Sequence, residues 1–112
     1  MKIRSEHQDR ALVVTVSGRI DSGNARDFQS GMDGLLDKGG RGVILDCEQL
    51  SYVSSAGLRV LLRVTRHLDQ KHVPFVVCSL SPMISEVFQI SGFDRIIPVA
   101  TSRADALATL PR

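Results

Sequence analysis

A chain of 112 residues, 43% hydrophobic and 23% charged, is sized for one globular domain over residues 1–112, burying about two-thirds of its unfolded surface. Its 14 Lys and Arg against 12 Asp and Glu leave a formal net charge of +2. The arginines are scattered among acids, which argues against direct nucleic-acid binding or an anionic membrane as the main partner. The longest apolar runs, about six to eight residues, fall far short of the ~20 that cross a bilayer. Residues 1–7 lack the apolar core of a signal peptide, so no membrane insertion is expected and the expected location is the cytoplasm.

In chain order, residues 3–7 and 11–17 read as two strands joined by the short link Gln8, Asp9, Arg10, with Leu12, Val14 and Val16 on one face. A helical pattern follows in Ala25, Phe28, Met32, Leu35 and Leu36, opened by Ser22 or Asn24 and closed near Gly39 and Gly40. Gly31 and Gly34 fall inside it, each costing up to ~1 kcal/mol relative to alanine, so packing must stabilise this helix. The near-continuous apolar run 43–47 (VILDC) has the character of a strand covered on both faces. It leads into a turn bearing Ser54 and Ser55.

From Gly57 to about Gln70 the stripe Leu58, Leu61, Leu62, Thr65 and Leu68 predicts an amphipathic helix, with Arg59, Arg63 and Arg66 on the opposite side. Those arginines suit a solvated face, or docking to an acidic partner. Residues 75–78 predict another buried strand, with Pro74 tolerable at its edge. Ser81 as cap and Pro82 as first residue predict a helix whose inner face is Ile84, Val87 and Phe88 and which Gly92 closes. A short strand is expected over 95–99. A last helix containing Ala104, Leu107 and Ala108 is expected to start at Thr101 or Ser102, with Asp105 three positions after Ser102. Strands that alternate with helices after an opening hairpin imply an α/β fold: a mixed, mostly parallel sheet covered by about four helices.

Cys47 and Cys78 show neither CxxC spacing nor a nearby histidine pair and read as buried free thiols. His7, His67 and His72 share no ligand spacing and read as surface residues. No Gly-x-Ser-x-Gly, Walker A or Gly-x-Gly-x-x-Gly segment occurs, so no catalytic residue, metal or cofactor is assigned.

The serine turn is the candidate site. A helix start has backbone N–H groups without internal partners and partial positive charge, and so stabilises a phosphoryl group attached there. Serine is also an excellent N-cap, which would account for one serine with no further role. Two in succession, followed by the small Ala56 and Gly57, leave a second hydroxyl that capping does not require.

The segment 50–62 (LSYVSSAGLRVLL) resembles the signature of STAS domains, specifically bacterial anti-sigma-factor antagonists. The segments 17–21 (SGRID), 43–47 and 77–93 (VCSLSPMISEVFQISGF) are similar to other parts of that family, so the likeness spans nearly the whole chain. The resemblance implies a non-enzymatic binding protein regulating sigma-factor-dependent transcription. Its partners would be an anti-sigma factor that is also a serine kinase, which phosphorylates it to end capture, and a serine phosphatase that restores it. By register the phosphoacceptor is Ser55, and the partner-binding surface includes Asp21, Ser54, Ser55, Gly57 and Leu58. The family commonly has Asp before the acceptor and Ser or Thr after it, where this chain has Ser54 and Ala56; Ser54 is therefore a rival acceptor. From chemistry alone Asp21 is equally a turn carboxylate. The alternatives keep the fold and change the client: a STAS subunit of a lipid-transport ATPase or signalling assembly, or a nucleotide-binding STAS module.

Overall fold

The computed structural model describes residues 1–38 and 40–110. Strands β1 (Lys2–Gln8) and β2 (Ala11–Ile20) form the antiparallel hairpin. Asp9 and Arg10 make its two-residue turn, both with positive φ, the conformation that matches the twist of paired strands. Beyond the hairpin, β3 (Val43–Asp46), β5 (Phe75–Cys78) and β6 (Val99–Ala100) extend the sheet in the order β1-β2-β3-β5-β6, all parallel after β1.

A sixth strand, β4 (Leu50–Val53), pairs parallel with the far end of β2. The sequence pattern does not predict it. It is only four residues long, exposes Ser51, half-exposes Tyr52, and follows β3 by three residues. The strand expected over 95–99 is also different. Phe93–Arg95 is a turn of 3-10 helix and only Val99–Ala100 pairs. Pro98 has no N–H to give, although its carbonyl accepts from the Val77 amide at 2.9 Å. Of the neighbouring isoleucines, Ile97 is fully buried and Ile96 is exposed.

Alternation along the strands sends side chains to two cores. Leu12, Val14, Val43, Leu45, Phe75 and Val77 face helices α1 (Ala25–Asp33), α2 (Ser55–Gln70) and α3 (Pro82–Ser91). Ala11, Val13, Ile44, Val76 and Cys78 face α4 (Arg103–Thr109), which lies on the other side of the sheet. Both cysteines are buried free thiols. Burial raises both thiols above their ordinary range, Cys78 to about 11, which keeps them protonated.

Helix α3 matches the sequence reading: the Ser81 Oγ accepts the Ile84 amide at 3.3 Å, Pro82 opens the helix, and Gly92 closes it with φ +77°. Helix α4 likewise starts at Ser102, whose Oγ accepts the Asp105 amide at 3.1 Å. Helix α1 is shorter than expected. It ends at Gly34, and Leu36–Lys38 follows as a 3-10 turn; Gly39 lies outside the described residues. Gly31 has a packing reason, because a Cβ there would stand 2.6 Å from Ile3 Cδ1 of β1. In α2 the buried side is broader than the predicted stripe. Val60 and Val64 join Leu58, Leu61 and Leu68, while Leu62 and Thr65 are half-buried, because the helix packs on α1 as well as on the sheet.

Candidate functional site

Because β2, β4 and β5 are mutually aligned with the parallel part of the sheet, the helices that follow them all begin at one end of it. β4 fixes the site there. The Ser54 amide donates to the Ile20 carbonyl at 2.8 Å, which brings the loop after β2 beside the start of α2. The two segments singled out in the sequence, 17–21 and 50–62, thus become neighbours through a strand that the pattern did not reveal.

Ser54 is the N-cap of α2. Its backbone is extended, with φ −85° and ψ 172°. Its Oγ accepts the Gly57 amide at 3.2 Å and its carbonyl accepts the Leu58 amide at 2.9 Å. Ser55 is the first helical residue and is exposed. Among the described residues its hydroxyl has no hydrogen-bond partner. The amides of Ser55 and Ala56, ahead of the first intrahelical bond, also have no backbone acceptor among the described residues.

Asp21 is half-buried and holds the adjacent loop. Its Oδ1 accepts the amides of Gly23 at 2.9 Å and Asn24 at 3.2 Å. Asn24 replies by accepting the Asp21 amide on Oδ1 at 2.9 Å and donating Nδ2 to the Arg19 carbonyl at 2.8 Å. Of the two starts the sequence allowed for α1, Asn24 is the N-cap residue, yet its side chain points back into this loop and leaves the helix uncapped. The turn role of Asp21 is therefore visible, and it leaves the carboxylate within the loop that borders Ser54.

Gly57 and Leu58 lie beneath the surface. Gly57 is buried, and a Cβ there would stand 2.7 Å from Val53 Cγ2 and 2.8 Å from Ile20 Cγ2. Leu58 is in the core. These residues set how closely α2 approaches β2 and β4, while Ser55, Ser54 and Asp21 reach the surface to differing degrees.

Two further exposed side chains lie at this end: Arg59, which the sequence reading places on a solvated or partner-docking face, and Met83, which it does not single out. Arg59 sits one turn after Ser55, and the first turn of α2 carries no acid. Met83, at the start of α3, is 64% exposed. A signal for Met83 was present in its position outside the Ile84, Val87 and Phe88 face. All three histidines are exposed; His7 Nε2 pairs with the Lys38 carbonyl at 3.1 Å, remote in sequence from both serines. Among the described residues no group of His, Cys, Asp or Glu is arranged to hold a metal ion, and no helix is long and apolar enough to cross a membrane. What remains chemically, among the described residues, is an exposed hydroxyl without a partner beside two amides without a backbone acceptor.

The STAS domain profile matches residues 2–106. The Bordetella bronchiseptica anti-sigma factor antagonist candidate BtrV is 43% identical, over 100% of both chains. Among solved structures, an anti-sigma factor antagonist from Mycobacterium paratuberculosis superposes with a TM-score of 0.88 at 23% identity, covering 97% of this chain and 92% of that one. The Bacillus antagonist SpoIIAA is similar in both of its forms. The unphosphorylated form gives a TM-score of 0.70 at 18% identity, covering 96% of this chain and 94% of that one. The phosphorylated form gives 0.70 at 20% identity, covering 96% and 97%.

Proposed function

The chain belongs to the STAS domain family of anti-sigma-factor antagonists, and from that membership we propose that it is a cytoplasmic, non-enzymatic partner-switching protein. Unmodified, it captures an anti-sigma factor that doubles as a serine kinase, using the surface formed by the Asp21 loop and the start of α2. The kinase passes the γ-phosphoryl group of ATP to Ser55 Oγ; the hydroxyl proton leaves to the kinase, the P–O bond to ADP breaks, and capture ends. A serine phosphatase returns the hydroxyl by hydrolysis.

One observation supports this reading above the others: of two adjacent hydroxyls, Ser54 accepts the Gly57 amide, whereas Ser55 is exposed and has no hydrogen-bond partner among the described residues. A phosphoserine adds about −1.5 to −2 charges. At a helix N-terminus that charge is accommodated by the domain, whereas a partner's docked surface meets it as a penalty. A cost of ~3 kcal/mol lowers affinity about a hundredfold.

The test has two arms. After incubation with the cognate kinase and ATP, intact-mass analysis and site mapping should find one phosphoryl group on Ser55; modification at Ser54 alone would reassign the acceptor. In a titration of the anti-sigma factor, Ser55→Asp should bind about a hundredfold more weakly than Ser55→Ala, which should match the native protein. Equal affinities for the two variants would take Ser55 out of the mechanism.

A further inference from the structure

We infer that a phosphoryl group on Ser55 is received by the guanidinium of Arg59, so that modification withdraws this cation from the docking face while it adds an anion. The inference rests on Ser55 as the site of modification, and it concerns what the folded chain does with the group once it is there.

Ser55 and Arg59 are four residues apart in a regular helix. Residues at that spacing lie on one face, with Cβ atoms about 6 Å apart. Long helical side chains lean toward the helix N-terminus, over the turn that precedes their own Cα. Arg59 therefore extends over the turn on which Ser55 stands. The order is also the favourable one, anion N-terminal to cation.

Arg59 is available for this role in a way its neighbours are not. It is exposed, and among the described residues it makes no ion pair or hydrogen bond. Arg63, by contrast, reaches the side-chain amide of Gln29 on α1, with Nη1 3.3 Å from Oε1. Arg66 lies two turns further on, beyond reach of position 55. No acid in the first turn of α2 competes for Arg59. A guanidinium offers a planar fork of N–H donors to phosphate oxygens, and such charge-assisted bonds are roughly twice as strong as neutral ones.

The experiment installs phosphoserine at position 55 of the full chain during synthesis, by codon reassignment, so that no kinase is involved. Proton–nitrogen spectra of the arginine Nε–H groups are then compared between the Ser55 and phosphoserine-55 proteins, with the Arg59 signal assigned by its loss in Arg59→Gln. The expected result is a downfield shift of the Arg59 Nε–H signal and severalfold slower exchange with water, while Arg63 and Arg66 stay in place. An Arg59 signal unchanged by the phosphoryl group, or a shift of equal size in all three arginines, overturns the inference. Failure of a kinase to modify Ser55 would count against the proposed function and leave this result standing.

Discussion

At position 54 the extended backbone turns Oγ back over the first turn of α2, where it meets the Gly57 amide; one residue later the backbone is helical and the same side chain points to solvent. The two serines should therefore separate in stability measurements. Ser54→Ala removes an N-cap and should cost about 1 kcal/mol, lowering Tm by roughly 4 °C for a chain of this size. Ser55→Ala should change stability by less than about 0.5 kcal/mol. Differential scanning calorimetry of both variants checks the pair, and equal losses would mean that the cap is shared. Asp21 yields to the same logic. Its Oδ1 receives two amides, so Asp21→Ala should lose about 1 kcal/mol, whereas Asp21→Asn retains an oxygen in that place and should melt within about 2 °C of the native protein. If Asp21→Asn nevertheless binds the anti-sigma factor more weakly, the missing charge acts at the interface rather than in the loop.

Among the elements, the β1–β2 hairpin carries a local conflict that can be relieved. Asp9 and Arg10 adopt φ of +52° and +68°, a conformation that Asn-Gly occupies with less strain. Replacing the pair by Asn-Gly should stabilise the protein by about 1 kcal/mol and raise Tm by roughly 4 °C; a fall in Tm would show that the aspartate or arginine side chain has a compensating contact. The elements that were legible in the sequence are those bounded by their own chemistry. Helix α3 has a capping serine, a first-position proline and a terminal glycine, and each does what its residue type dictates. β4 was not legible, since Leu50–Val53 becomes a strand only when β2 lies alongside to pair with it. The same holds for the segment after Gly92, where Pro98 and a single inward isoleucine give two paired residues instead of five. At the candidate site, the serine pair and Asp21 are singled out by residue type and family likeness. Which hydroxyl is committed, and that Gly57 is a spacer between two strands and a helix, required the third dimension.

On the scale of the whole molecule, the hairpin, the central strand and the last helix are tied together by Arg103. Its guanidinium donates Nε to Asp46 Oδ2 at 3.0 Å and Nη1 to Glu6 Oε1 at 2.7 Å, joining positions far apart in the chain. Asp46 is 4% exposed and is the buried charged residue among those described. Arg103→Met should destabilise the protein by about 3 kcal/mol, because it leaves that buried carboxylate without its cation, held among the described residues only by the Glu48 amide on Oδ1 at 3.1 Å. Adding Asp46→Asn should recover part of the loss, a non-additivity that urea titration of the two single variants and the double variant would measure. Strictly additive losses would mean that Arg103 acts through packing alone.

The absence of a side chain at Gly57 has a kinetic corollary. With Val53 and Ile20 close against its backbone, the beginning of α2 has no slack in which to pivot, so under the proposed function a phosphoryl group gained or lost there would alter the surface without a slow rearrangement behind it. Release of the anti-sigma factor should then follow phosphoryl transfer as a single exponential, with no lag, at a pace set by how quickly the two proteins part.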